Sequence, residues 1–182
     1  METPELPIES FCDGDIIFRR GTGIMSRIVV EASKNGVYSH IGILKREGDK
    51  WFVIHAVPDE PDFKGDPDRV KMEPVTQFFS PERACKGAVM RYNEENGAAA
   101  KAARHALEFA RKGTLFDHEY DLNDTTKMYC TELIAYVYYK EGIDLTEGRR
   151  SRPRLPIKSG VCILPDDLAG NPHLTTIFSF SR

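Results

Sequence analysis

The sequence predicts an α+β fold, a small antiparallel sheet packed against helices, on three observations. Short runs of strand composition follow one another through the first half of the chain, so neighbouring strands pair antiparallel. Two of them are joined by a Gly48-Asp49 turn, as in a hairpin. In the second half, an alanine-rich stretch and a strongly apolar stretch have helical character instead. At 182 residues, the chain suits one domain covering 1–182.

Asp15 to Arg19 (DIIFR) is the first strand, entered from the turn Asp13-Gly14. Gly21-Thr22-Gly23 then opens an amphipathic helix over Ile24 to Lys34, with Asn35-Gly36 as a left-handed stop. Tyr38 to Leu44 (YSHIGIL) is a strand by composition, and Trp51 to Val57 (WFVIHAV) returns beside it. Pro58 to Arg69, rich in Asp, Pro and Gly, is a surface loop. Pro74 to Phe79 is a short helix and Gly87 to Tyr92 another strand. Ala98 to Lys112 is a helix dense in alanine and closed by Gly113. After a polar loop, Thr114 to Tyr129, comes the apolar helix Thr131 to Lys140, ending at Gly142. Val161 to Leu164 is a last short strand, and Pro165-Asp166-Asp167 starts a final helical turn.

Composition removes several function classes. The formal charge is −3, without a lysine or arginine cluster, so nucleic acid is not an expected partner. No apolar run is long enough to span a membrane. Met1 to Glu9 is acidic and carries Pro4 and Pro7, without the basic and apolar regions of a secretory signal, which leads to a cytoplasmic expectation. Cys12, Cys85, Cys130 and Cys162 lie far apart with no CxxC pair. That spacing fits reduced thiols better than a disulfide framework or a zinc site, and no metal or other cofactor is implied.

Cys130 stands at the start of the apolar helix. There the helix dipole and the free N–H groups of the first turn favour thiolate and could hold an oxyanion. The competing reading is a small apolar residue capping a buried helix. A thiol nucleophile needs a proton acceptor and donor, most often histidine. His40 stands in a mostly apolar strand, where alternation puts His40, Gly42 and Leu44 on one side and Ile41 and Ile43 on the other. Gly42 leaves room for a group to approach closely. Across the hairpin, His55 falls opposite Gly42, on the face of His40 and diagonal to it. Such a pair can serve as a base and the group that orients it; the competing reading is two hydrogen-bonded sheet histidines. His105, His118 and His173 read as structural or solvated, with His118 close enough to Cys130 in sequence to line a cleft. Asp117, Glu119, Asp121 and Asp124 lack the glycine and terminal glutamate of an EF-hand, so they read as a solvated acidic loop.

Four strings, GDIIFR from Gly14, YSHIGI from Tyr38, VIHA from Val53 and YCTEL from Tyr129, together resemble the YiiX/YebB-like group. That group belongs to the circularly permuted branch of the NlpC-type papain-like superfamily, which also holds the lecithin retinol acyltransferase relatives. The resemblance runs from about Cys12 to Ile177 and, as in the group, the histidine precedes the cysteine. It implies a permuted papain-like fold and a Cys130-His40-His55 triad for amide or ester hydrolysis or acyl transfer. The expected substrate is a small peptide, amide or acyl compound. Tyr38 and the Cys130 N–H are the implied oxyanion partners, with Tyr129, Phe116 and Asp117 bordering the substrate. His55 stands where such relatives often carry glutamate, and Phe116 where they often carry tyrosine. A lipid acyltransferase or thioesterase on the same triad, and a non-catalytic binding domain, are the alternatives. The oligomeric state is open.

Overall fold

A computed structural model describes residues 4–93, 96–154 and 157–182; the first three residues of the Met1 to Glu9 stretch lie outside them. The chain runs β1 (Ile16–Arg20), α1 (Ile24–Ala32), β2 (His40–Glu47), β3 (Lys50–Val57), β4 (Arg69–Pro74), α2 (Val75–Phe78), β5 (Lys86–Tyr92), α3 (Ala98–Lys112), α4 (Cys130–Tyr139), α5 (Pro165–Ala169) and β6 (Leu174–Ser181). The strands form one sheet in the order β4-β3-β2-β1-β5-β6, with every neighbouring pair antiparallel.

The mixed class stands, but the sheet has six strands, two of which are not marked by composition. In β4, Lys71 and Glu73 alternate with Val70 and Met72, and both charged residues are buried. A strand whose polar face is buried does not look like one that faces a core. In β6, Ile177 is an extra residue between the pairs Val89↔Phe178 and Met90↔Thr176, and this bulge breaks the two-residue period. The stretch Val161 to Leu164 is not a strand of the sheet; it contributes one isolated bridge, Ser151↔Cys162.

The hairpin closes with Glu47↔Lys50, so Gly48 and Asp49 form a two-residue loop, with Gly48 at φ +62°. Helix α1 ends at Ala32 with Ser33 extended, earlier than the expected Lys34, and Gly36 is not left-handed. Gly36 serves close packing instead, because a Cβ there would fall 1.8 Å from the Val30 carbonyl oxygen. Helix α3 has its expected limits and ends at Gly113 with φ +63°.

Two cores lie on opposite faces of the sheet. On one, Ile16, Phe18, Ile41, Ile43 and Ile54 pack under α3 and α4. Ala102, Ala103 and Ala106 bring α3 close, and Leu133, Ile134, Val137 and Tyr138 anchor α4. Each of the large aliphatic side chains is worth about 1.5–3 kcal/mol of burial. On the other face, Ile17, Leu44 and Val53 pack with Val75, Phe78 and Phe79. The end of the sheet between the two carries the site.

Candidate active site

Cys130 is the first residue of α4, after the extended Tyr129. The Glu132 carboxylate reaches back and accepts the Tyr129 N–H at 3.3 Å, fixing how the chain enters the helix. The Tyr129 hydroxyl accepts the Ile163 N–H at 2.9 Å, tying the turn to the segment before α5. Cys130 is therefore held from both sides, yet is partly open to a cavity of about 540 Å³. The N–H groups of Thr131, Ile41 and Cys130 itself are directed at the sulfur.

His40 opens β2, one residue from that Ile41 N–H, and lines the same cavity. Its Nε2 lies 2.7 Å from Nδ1 of His55 on β3. The face alternation and the diagonal hairpin relation expected from the sequence both hold. Gly42 makes the approach possible: a Cβ there would be 2.4 Å from Val53 Cγ1 and 3.3 Å from His55 Cβ. Phe78 packs against both rings, with centroids at 5.7 and 5.4 Å.

Behind the two histidines is a charged group that the sequence reading missed. His55 Nε2 lies 3.2 Å from Glu73 Oε1, off line for an aligned hydrogen bond, and has no hydrogen-bond partner among the described residues. Arg83 Nη1 reaches Glu73 Oε2 at 2.6 Å and Glu60 Oε2 at 2.9 Å. Arg19 pairs with Glu60, lies 4.0 Å from Glu73 and covers the Phe78 ring at 4.5 Å. Two arginines and two carboxylates thus balance. The available signal was the polar alternation of Lys71 and Glu73 beside His55 in the sheet, since His55 pairs with Lys71.

Burial pushes the Cys130 thiol up to about 11, against the pull of its N–H neighbours. Burial, aided by Arg19, His55 and Arg83, holds His40 well below the usual histidine value, and burial also lowers His55. Burial alone would raise Glu73, but His55 and Arg83 prevail and bring it down to about 2. Burial thus disfavours charge on the thiol and on both imidazoles, while His55 and Arg83 favour an ionised Glu73.

Among the other expected residues, Phe116 and Tyr129 line the cavity, whereas Tyr38 and Asp117 do not. Tyr38 is buried, 5.1 Å from Phe18 ring to ring, and so is drawn into the core under α4. The Asp117 carboxylate is consumed locally, accepting the N–H groups of Glu119 at 2.9 Å and Asp121 at 2.6 Å. His118, expected to be structural or solvated yet near enough to Cys130 in sequence to line a cleft, is exposed, lies at the cavity wall and pairs with Asp68 at 3.0 Å.

A similar solved structure is that of metalloprotein YiiX from Escherichia coli O157:H7, at 22% identity and a TM-score of 0.73, covering 93% of this chain and 98% of that one. The likeness concerns the fold; the metal belongs to that protein's description. Among the described residues here, no group of three or more His, Cys, Asp or Glu side chains is gathered as for a metal ion. No curated protein matches the chain. A family model described as permuted papain-like amidase enzymes matches residues 10–178, a span that includes His40, His55 and Cys130 in the permuted order. The chain belongs to these permuted papain-like amidases, the YaeF/YiiX, C92 family.

Proposed function

We propose that the protein hydrolyses an amide bond of a peptide or amidated small molecule through an acyl-enzyme on Cys130, with His40 as base and acid and His55 as its orienting partner. The observation that carries this reading is the shared cavity of Cys130 and His40, with His40 Nε2 already engaged by His55 at 2.7 Å. That engagement leaves His40 Nδ1 for the thiol.

The burial of both groups favours a neutral thiol and imidazole at rest, in place of the thiolate that the helix N-terminus suggests. The sulfur attacks the carbonyl carbon as its proton passes to His40, and the carbonyl electrons move to oxygen. The Cys130 N–H, one of the helix-start donors beside the sulfur, serves as donor to the developing oxyanion. Collapse breaks the C–N bond, and the leaving amine takes the proton from His40. Water then attacks the thioester as His40 accepts its proton, and that proton returns to sulfur when the acid leaves.

Site-resolved iodoacetamide labelling tests the assignment. Replacing His40 by alanine should slow alkylation of Cys130 by about 100-fold or more, while the exposed Cys12 labels unchanged as an internal control. Equal Cys130 labelling in the two proteins would remove His40 from the mechanism.

One observation favours acyl transfer or thioester hydrolysis as the second reading. Ile24 and Met25 are 77% and 59% exposed at the cavity wall, beside Val29, Val57 and Leu164. Apolar side chains left open at a mouth suit an acyl chain.

A further inference from the structure

Glu73 stands on β4, two strands from His40, and touches the cavity nowhere. Nevertheless, its Oε1 lies 3.2 Å from the buried His55 Nε2, which has no hydrogen-bond partner among the described residues. A lone pair at that nitrogen would face the lone pairs of a carboxylate, whereas a proton there is attracted. We propose that Glu73 is a positioning residue, holding His55 in the Nε2–H tautomer so that His55 Nδ1 accepts the His40 Nε2–H and His40 Nδ1 keeps its lone pair for Cys130. The proposal rests on the hydrolase reading above and extends it from three residues to four.

A carboxylate accepts and never donates, so it gives the whole chain of hydrogen bonds one direction. A neutral group at position 73 would leave both tautomers open. The surrounding charges explain why the carboxylate stays ionised and in place. Arg83 holds its second oxygen at 2.6 Å, and Arg19 stands at 4.0 Å from its first. Glu60, on the loop after β3, bridges the same two arginines. The loop is pinned by the buried Lys71, whose ammonium donates to the Glu60 carbonyl at 2.5 Å and to Asp62 at 2.7 Å. When His40 takes the thiol proton, Arg19 and Arg83 oppose the new positive charge, and Glu73, through His55, is the group that favours it.

Two measurements test this. Nitrogen-15 imidazole shifts of the wild-type protein at pH 7 should show His55 protonated at Nε2 and bare at Nδ1; the opposite tautomer would overturn the proposal without recourse to a variant. Glu73→Gln should lower the Cys130 labelling rate roughly 10- to 100-fold, the range for outer partners of a reactive group, and move the acid limb of the labelling profile to lower pH. Cys12 labelling should not change. A merely structural Glu73 would reduce thermal stability and leave the folded protein's labelling profile in place, which also overturns it. The two readings fail separately: an unaffected His40→Ala protein removes the hydrolase mechanism, whereas a slowed His40→Ala beside an unaffected Glu73→Gln removes only the role of Glu73.

Discussion

Glu132 shows at a single residue how the start of α4 shapes pH dependence. It is buried at the third position of the helix and accepts the Tyr129 N–H. Burial, with Asp117, Asp124 and Asp121 nearby, pushes its carboxyl up to about 8. The unfolded chain loses this proton near pH 4.5, while the native protein keeps it to about 8. Stability from this group is therefore lost as pH rises through that window. Glu132→Gln keeps an acceptor for the Tyr129 N–H without an ionisable group. The variant should match wild type in denaturant midpoint at pH 4, and exceed it at pH 9. A wild-type midpoint that is equal or higher at pH 9 would contradict this. At this scale Cys130, His40 and His55 were legible because each carries a chemically special type in a telling place. Glu73 was not, because its one signal, the alternation with Lys71, does not say that the strand will pair beside His55.

Among the elements, the β2–β3 hairpin does most to build the site. Its two-residue loop fixes the register, and the register puts His55 beside Gly42. A methyl at position 42 would push Val53 and the Ile54 carbonyl, at 2.4 and 3.0 Å, and part the strands where the imidazoles meet. Gly42→Ala should cost about 1–3 kcal/mol as an overpacked site and slow Cys130 labelling as well. An unchanged melting temperature together with unchanged labelling would show that the close approach is not needed. The hairpin, α3 and α4 were readable because each has turn or capping chemistry agreeing with its hydrophobic period. Strand β4 lacked that agreement, with Lys71 and Glu73 buried. The bulge at Ile177 removed it from β6. Tyr38 and Asp117 mark the same limit: proximity in sequence to His40 and Cys130 does not tell which way a side chain turns.

In the whole molecule, the two cores hold the sheet between α3 and α4 on one side and α2 with its aromatic neighbours on the other. The histidines lie on the Phe78 side, and α4 packs on the opposite face. His40 and Cys130 share one cavity because Cys130 begins its helix at the sheet end where β2 starts. This joining of distant segments forms the candidate site, and sequence order alone could suggest it but not its depth or lining. Among the described residues no helix is long and apolar enough to cross a membrane. The exposed Ile24 and Met25 make the length of the acyl group the natural variable for a substrate series.

The most direct measurement is mass analysis of the quenched protein after mixing with amides, esters and thioesters of increasing acyl length. An acyl increment is expected on the peptide bearing Cys130, absent in His40→Ala; stronger trapping with long acyl chains would favour acyl transfer over amide hydrolysis. No increment at Cys130 with any member, or acylation confined to Cys12 or Cys85, would contradict the acyl-enzyme.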